Sequence, residues 1–236
     1  MVFGGIQKLT LLDYPEKTAC TLFTIGCNFC CPYCQNSSLL DNSKEEHTLF
    51  GNQKISVSEV FDFLKTREGL LDGVCISGGE PLLYDDLETF ISEVKALGFN
   101  VKLDTNGSYP QKLEKLISSK LVNYVAMDIK NSPEKYAKTI DVTGYDITPI
   151  TESIKLLCSS SIPHEFRTTV VKEFHTENDL VAIARWIFEK ENYFIQKFND
   201  SSGVRYSGLH SYSDEEMRRL LDAVKRVQPS AELRGI

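Results

Sequence analysis

The chain has 236 residues, which is enough for one α/β domain with a full core or for two small domains. Its formal net charge of −7 argues against a protein that wraps nucleic acid, and no apolar run is long enough to span a membrane. Apolar residues make up 42% and charged residues 25% of the chain, which excludes a disordered or collagen-like protein. The first residues lack the basic-then-apolar pattern of a secretion signal, and we therefore expect a cytoplasmic protein.

Strand and helix patterns alternate along the chain. The predicted strands cover residues 18–25, 73–77, 99–104, 122–129, 165–171 and 193–198, with a short final strand at 232–234. The predicted helices cover residues 56–65, 85–97, 111–119, 133–138, 148–159, 177–190 and 213–227. Ser56 or Ser58 would cap the first helix, and Ser213 with Glu216 would form a capping box on the last. About six strands separated by helices indicate parallel βαβ units, and hence a doubly wound sheet or a barrel.

The sequence carries no internal repeat and no linker between two independent cores. We therefore expect a single domain over residues 1–236, with a core at 18–200, an N-terminal extension at 1–17 and a C-terminal loop and helix at 201–236. Two polar stretches, 36–54 and 199–210, are the least patterned parts of the chain, and loops of that length often carry function.

Polar or glycine-rich residues follow nearly every predicted strand. In parallel α/β folds the carboxyl ends of the strands build the site, so one site assembled from several strands is expected. These positions include the loop 27–34, the turn at 77–81, the turn at 104–107, Asp128 with Lys130, and Arg167 on the fifth strand.

Four of the seven cysteines lie within eight residues, and this clustering indicates metal binding. Cys27/Cys30 and Cys31/Cys34 form two CxxC pairs, which a zinc ion or a redox dithiol could use. Cys27, Cys31 and Cys34 instead form CxxxCxxC, which suits a three-cysteine iron–sulfur cluster. The adjacency of Cys30 and Cys31 makes their side chains diverge, which favours the second interpretation and leaves Cys30 as a thiol packed behind the loop.

The cysteine loop resembles that of the radical S-adenosylmethionine (SAM) enzymes, CxxxCx(aromatic)C, with Tyr33 in the aromatic position. The turn Gly78-Gly79-Glu80-Pro81 is similar to the GGEP motif of the same superfamily. The resemblance implies a partial (βα)6 TIM-like barrel with parallel strands and outer helices. It also implies a [4Fe-4S] cluster on Cys27, Cys31 and Cys34, whose open iron would be chelated by SAM.

Further segments resemble the glycyl-radical-enzyme activases, and above all the anaerobic ribonucleoside-triphosphate reductase activating proteins. They are GIQKLTLLDYP at 5–15, the cysteine loop, DTNG at 104–107, MDIK at 127–130 and FRTTVV at 166–171. One departure is Gln35, where that family often has histidine. No second cysteine-rich block lies between Gln35 and Ile76, so the extra clusters of some activases are not expected.

The resemblance also assigns roles to the polar strand ends. The backbone of Gly78, Gly79 and Glu80 would receive the SAM amine, because an ammonium needs acceptors and a glycine turn exposes carbonyls. Asp104 and Asp128 would lie near a monovalent cation. Arg167 would face the cofactor carboxylate, with pairing to a barrel carboxylate as the alternative. The full set of implied cofactor contacts is Tyr33, Gly78, Gly79, Glu80, Pro81, Asp104, Asn106, Lys130 and Arg167.

The implied reaction is reductive cleavage of SAM to methionine and a 5′-deoxyadenosyl radical, which takes hydrogen from a glycine of a partner enzyme. The implied partner is an anaerobic ribonucleotide reductase, and the implied electron donor is a flavodoxin or a ferredoxin. The loops 36–54 and 199–210 would frame the opening for the partner's peptide. Two other hypotheses stay open at this point: a radical SAM enzyme that acts on a small molecule or another peptide, and a non-catalytic zinc or electron-transfer protein.

Overall fold

The computed structural model describes residues 1–40, 54–188, 191–200 and 204–236. Its backbone divides into two units. Unit 1 contains Met1–Asn28, Ser38–Thr105 and Tyr109–Val125, and unit 2 contains Phe29–Ser37, Asn106–Ser108 and Ala126–Ile236. The parts of the predicted loops at 41–53 and 201–203 lie outside the described residues.

The described part of unit 1 contains five strands in the order β3-β1-β2-β4-β5. Strands β2, β4 and β5 run parallel, as predicted, whereas β1 pairs antiparallel with β2 and with β3. Their bounds are β1 Val2–Thr10, β2 Ala19–Thr24, β3 Ile55–Ser56, β4 Gly73–Gly78 and β5 Asn100–Thr105. The helices of this unit are α1 Val57–Lys65, α2 Leu87–Ala96 and α3 Pro110–Ser118.

Unit 2 continues the alternation of strands and helices. Strand β6 (Tyr124–Asp128) begins at the division between the units, and the order is β6-β7-β8-β9 with β7, β8 and β9 parallel. The later strands are β7 His164–Val170, β8 Tyr193–Lys197 and β9 Glu232–Arg234. The helices are α4 Tyr136–Thr139, α5 Thr148–Ser159, α6 Glu177–Trp186 and α7 Asp214–Lys225. Helix α7 packs against α6 and against β9.

Within the described residues, four of the differences between the predicted elements and the structure have a physical reason or a bearing on the fold. Strand β1 was missed because Gly4 and Gly5 weaken its strand pattern, and its register shifts between Phe3 and Gly5. The two-residue β3 was also missed. The helix predicted at 133–138 starts as a 3-10 turn at Pro133–Lys135 before α4. The helix predicted at 177–190 ends at Trp186, because Phe188 adopts a left-handed φ of 66°, and residues 189–190 lie outside the described ranges.

Local sequence signals explain most helix boundaries. Ser56 and Glu59 form a capping box on α1, and Ser213 and Glu216 form another on α7. Proline occupies the first turn of α3 and of α5, where its missing N–H costs nothing. Among the described residues, there is no helix with both the length and the apolar character that crossing a bilayer requires.

The assignment of Ser56 as the N-terminal cap of α1 can be tested directly. The Ser56 hydroxyl accepts from the Glu59 amide at 3.3 Å, and Glu59 Oε2 accepts from the Ser56 amide at 2.8 Å. We expect Ser56→Ala to lower the free energy of unfolding by about 1 kcal/mol in urea titration. Ser58→Ala, the alternative cap in the same turn, is the matched control and should change it by only a few tenths. Equal effects of the two substitutions would contradict the assignment.

Candidate active site

In unit 1, the glycine turn after β4 lies directly against the backbone that leads into Cys27. The Gly79 amide donates to the Thr24 carbonyl at 2.9 Å, and the Glu80 amide donates to the Gly26 carbonyl at 2.8 Å. A Cβ on Gly79 would lie 1.9 Å from the Gly26 carbonyl oxygen. Only glycine fits at this position, and the turn therefore fixes the start of the cysteine loop.

The Glu80 side chain stabilises the same region from inside. It is fully buried, and its Oε1 accepts from the Leu82 amide at 3.0 Å and from the Thr105 hydroxyl at 2.8 Å. The carboxylate thereby caps the 3-10 turn Pro81–Leu83 and holds the carboxyl end of β5. Glu80 and Cys27 also lie near Tyr109, whose pKa is raised by burial and then by these two groups. A backbone role for Glu80 toward SAM stays a prediction.

Asp104 ends β5 beside a buried lysine that the sequence analysis did not consider. The Lys102 ammonium forms an ion pair with Asp104 Oδ1 and lies 3.9 Å from the Cys75 sulfur. The Ser77 hydroxyl donates to Asp104 Oδ2 at 3.2 Å. The sequence signal for this ion pair is the single lysine in the apolar strand FNVKLD. A lysine in a buried strand needs a charged partner, and Asp104 is the carboxylate of the same strand.

In unit 2, the second part of the cysteine loop presents two thiols beside Lys130. Cys31 is buried, Cys34 is half-buried, and the Cys34 amide donates to the Cys31 carbonyl at 3.1 Å. Burial raises the pKa of Cys31 to about 12 and also raises that of Cys34, while the Lys130 ammonium acts in the opposite direction on both. Metal binding must therefore displace protons, and Lys130 favours the thiolates that a metal needs.

None of the seven cysteines forms a disulfide. The side chain of Cys30 is half-buried rather than fully packed behind the loop. Its amide donates to the Ile140 carbonyl at 2.9 Å, which fixes the loop's backbone between the ligand positions. The buried Cys31 thiol and the half-buried Cys34 thiol beside the Lys130 ammonium are a donor set that fits an iron–sulfur cluster.

Tyr33 connects the cysteine loop to the end of β6. Its buried hydroxyl donates to the Lys130 carbonyl at 3.2 Å, and its ring packs against Phe174 and His175. His175 Nε2 lies 2.8 Å from the same carbonyl, and His175 Nδ1 accepts from the Val171 amide at 3.1 Å. The hydrogen-bond pattern therefore assigns the neutral Nε2–H form to this ring. His175 is completely buried, although the short polar segment in which it lies does not indicate this from the sequence.

A chain of alternating charges runs through unit 2. The Lys130 ammonium donates to Asp128 Oδ2 at 2.9 Å, and Arg167 Nε donates to Asp128 Oδ1 at 2.8 Å. Arg167 Nη1 lies 3.9 Å from Glu165 Oε1, and the Glu165 carboxylate accepts two hydrogen bonds from Arg234, at 2.9 and 2.8 Å. Burial alone would raise the pKa of Asp128, but the charges of Arg167 and Lys130 outweigh it and hold that pKa well below its usual range.

The alternative foreseen for Arg167, pairing with a barrel carboxylate, is thus present. Its contact with a cofactor stays a prediction. Asn106 Oδ1 accepts from the Ser108 amide at 3.0 Å and stabilises its own turn. Sequence reasoning missed Glu165 and Arg234 because they lie 69 residues apart.

Residues 21–187 match the radical SAM superfamily. The chain belongs to this superfamily. Its members are enzymes that use a [4Fe-4S] cluster and SAM, so these two predicted cofactors are confirmed and the non-catalytic interpretation is wrong.

Two curated relatives extend the match. A protein of Methanocaldococcus jannaschii, provisionally named a glycyl-radical enzyme activating enzyme, is 34% identical over 99% of this chain and 95% of its own length. The pyruvate formate-lyase-activating enzyme of Staphylococcus aureus is 27% identical over 82% of this chain and 77% of its own. The resemblance to the glycyl-radical-enzyme activating enzymes is confirmed.

A solved structure supports the predicted fold class. SuiB of Streptococcus suis bound to S-adenosylmethionine has a TM-score of 0.68 at 13% identity, over 90% of this chain. This chain spans about half the length of SuiB (49%). The likeness and the parallel strands of both units confirm an α/β fold of the partial-barrel class.

The burial of neutral His175 makes stability depend on pH. Burial lowers the pKa of His175 from the ordinary 6.5. Below that pH the His175 ring is protonated in the unfolded chain but stays neutral in the folded chain. We expect the free energy of unfolding to fall as the pH drops from 7 to about 5.5. In His175→Asn, which is less stable at pH 7, the fall should be shallower. The exposed His210→Asn serves as the control, and a wild-type slope in His175→Asn would contradict the assignment.

Proposed function

We propose that this enzyme is a radical SAM activase that installs a glycyl radical on a partner enzyme, and that the partner is an anaerobic ribonucleoside-triphosphate reductase. The single observation that carries the activase function is the end-to-end match to the Methanocaldococcus jannaschii relative, at 34% identity over 99% of this chain. The choice of partner rests on the sequence segments at 5–15, 104–107, 127–130 and 166–171.

Within this proposal, Cys27, Cys31 and Cys34 hold the [4Fe-4S] cluster in one continuous loop of a single radical SAM domain. When bound, the cluster supplies the electron for reductive cleavage of SAM. The chain's own residues then have distinct tasks. Gly79 sets the path of the loop into Cys27, and Lys130 favours the thiolate forms of Cys31 and Cys34.

The remaining polar groups would bind and orient SAM. The glycine turn Gly78-Gly79-Glu80-Pro81 offers backbone carbonyls to the amine, and Arg167 and Lys130 offer positive charge to the carboxylate. Tyr33, Asp104 and Asn106 complete the proposed contacts. A monovalent cation near Asp104 and Asp128 stays a prediction. Each of these carboxylates already has a cationic side-chain partner in its own unit, and a bound cation would add to that compensation.

The proposal also includes a cytoplasmic location and a flavodoxin or ferredoxin as the reductant. A reducing compartment keeps the loop thiols available for iron. The predicted opening for the partner's peptide involves the loops 36–54 and 199–210. Residues 41–53 and 201–203 of those loops lie outside the described part of the chain.

The cluster assignment is tested by anaerobic reconstitution with iron and sulfide, followed by reduction with SAM present. We expect methionine and 5′-deoxyadenosine from the wild type, no product from Cys31→Ala, and nearly normal product from Cys30→Ala, because only Cys31 belongs to CxxxCxxC. Loss in Cys30→Ala with retention in Cys31→Ala would contradict the ligand set. Glycyl-radical formation on a purified anaerobic ribonucleotide reductase, compared with pyruvate formate-lyase by electron paramagnetic resonance, then tests the partner.

The glycine turn gives a second prediction. In Gly79→Ala the new Cβ meets the Gly26 carbonyl oxygen, and neither backbone segment yields easily. We expect iron content and SAM cleavage to fall by about 10-fold or more, as for a displaced active-site backbone. Gly69→Ala is the control: its φ of +71° brings backbone strain, but no atom lies within 4 Å of the new Cβ. Iron content equal in the two variants would refute the role of the turn.

A further inference from the structure

A second group of metal-ligating side chains lies in unit 2, outside the residues proposed for SAM. Cys158 lies near the end of α5, His164 opens β7, and Glu191 lies two residues before β8. One potential ligand atom from each lies within 4.8 Å of the other two. The group sits at the amino ends of β7 and β8, whereas Asp128 and Lys130 lie at and beyond the carboxyl end of β6.

The His164 ring is oriented like a metal ligand. Its Nδ1 lies 2.9 Å from the Ile162 carbonyl oxygen, which only accepts, so Nδ1 carries the hydrogen of the neutral ring. Nε2 then presents a lone pair, and Glu191 Oε2 lies 2.9 Å from it. Two acceptors at this distance repel unless a positive group lies between them.

A metal ion would supply the positive charge that this contact requires. The His164 side chain is only 9% exposed, and among the described residues its Nε2 makes no hydrogen bond despite the nearby carboxylate. The geometry therefore does not suit a proton shared along a straight line. Cys158 adds a sulfur to the imidazole nitrogen and the carboxylate oxygen, and these three donor types are the ones that zinc binds.

We propose that Cys158, His164 and Glu191 bind one divalent transition-metal ion of the zinc class, with water in the fourth position. The surrounding structure holds two of the ligands in place. The Ile162 carbonyl orients the His164 ring in the manner of partners that orient metal-bound histidines. The Glu191 carbonyl accepts from Gln228 Nε2 at 2.6 Å and from the Ser230 hydroxyl at 2.7 Å. The ion would join the end of α5 to the start of β7 and to the segment before β8.

The test is a zinc titration of the cluster-loaded full-length enzyme under anaerobic conditions, in competition with a chromophoric chelator. We expect one zinc equivalent per chain in the wild type, with no loss of iron. Cys158→Ser, His164→Asn and Glu191→Gln should each weaken zinc binding by about 10-fold or more. His210→Asn is the matched control, because His210 also contacts a carboxylate, Glu173, at 2.7 Å but belongs to no three-ligand group among the described residues.

Two results would overturn the proposal. One is a cluster-loaded wild type that binds no zinc, in which case the His164–Glu191 contact is an imidazolium–carboxylate ion pair. The other is zinc affinity that is the same in wild type, His164→Asn and Glu191→Gln. These two variants keep the test decisive even when Cys158→Ser fails to fold, and a zinc-dependent rise in the melting temperature confined to the wild type and His210→Asn supports it independently.

Discussion

The close approach of two backbone segments, Thr24–Gly26 and Gly78–Glu80, is the constraint on which the rest of unit 1 depends. Two amide hydrogen bonds hold the segments together, and the space between them excludes even a methyl group. The same turn continues into the buried Glu80 carboxylate, which binds the hydroxyl at the end of β5. The position at which the chain leaves β2 for the cysteine loop is therefore set by β4 and β5 together.

In unit 2, a side chain adds to the backbone hydrogen bonds that hold the second part of the cysteine loop. The Lys130 carbonyl accepts from Tyr33 and lies within hydrogen-bonding distance of His175 Nε2. The aromatic residue of the cysteine motif thus also positions the strand end that carries Asp128 and Lys130. A motif that looks like a metal-binding signature in the sequence is, in the fold, also a packing element.

The sequence predicted local structure well where the signals were local. Helix α5 and strand β9 have the predicted bounds, and the capping box at Ser213 is present. Strand β1 was not predicted, because its pairing with β2, and not its own pattern of apolar and polar residues, makes it a strand. The candidate site followed the same rule. The cysteine loop and the glycine turn are contiguous motifs, whereas the Arg234 partner of Glu165 comes from packing that no short window contains.

The alternating charges of unit 2 have a consequence for solutes. Three cationic groups, Lys130, Arg167 and Arg234, share two carboxylates, Asp128 and Glu165, within a chain whose formal net charge is −7. The negative net charge repels anions at long range, but this partly buried row, which has more cations than carboxylates, attracts a carboxylate that comes near it. Salt screens the first effect more than the second, because buried charges are screened less than exposed ones. Moderate ionic strength should therefore help small anions to reach this row.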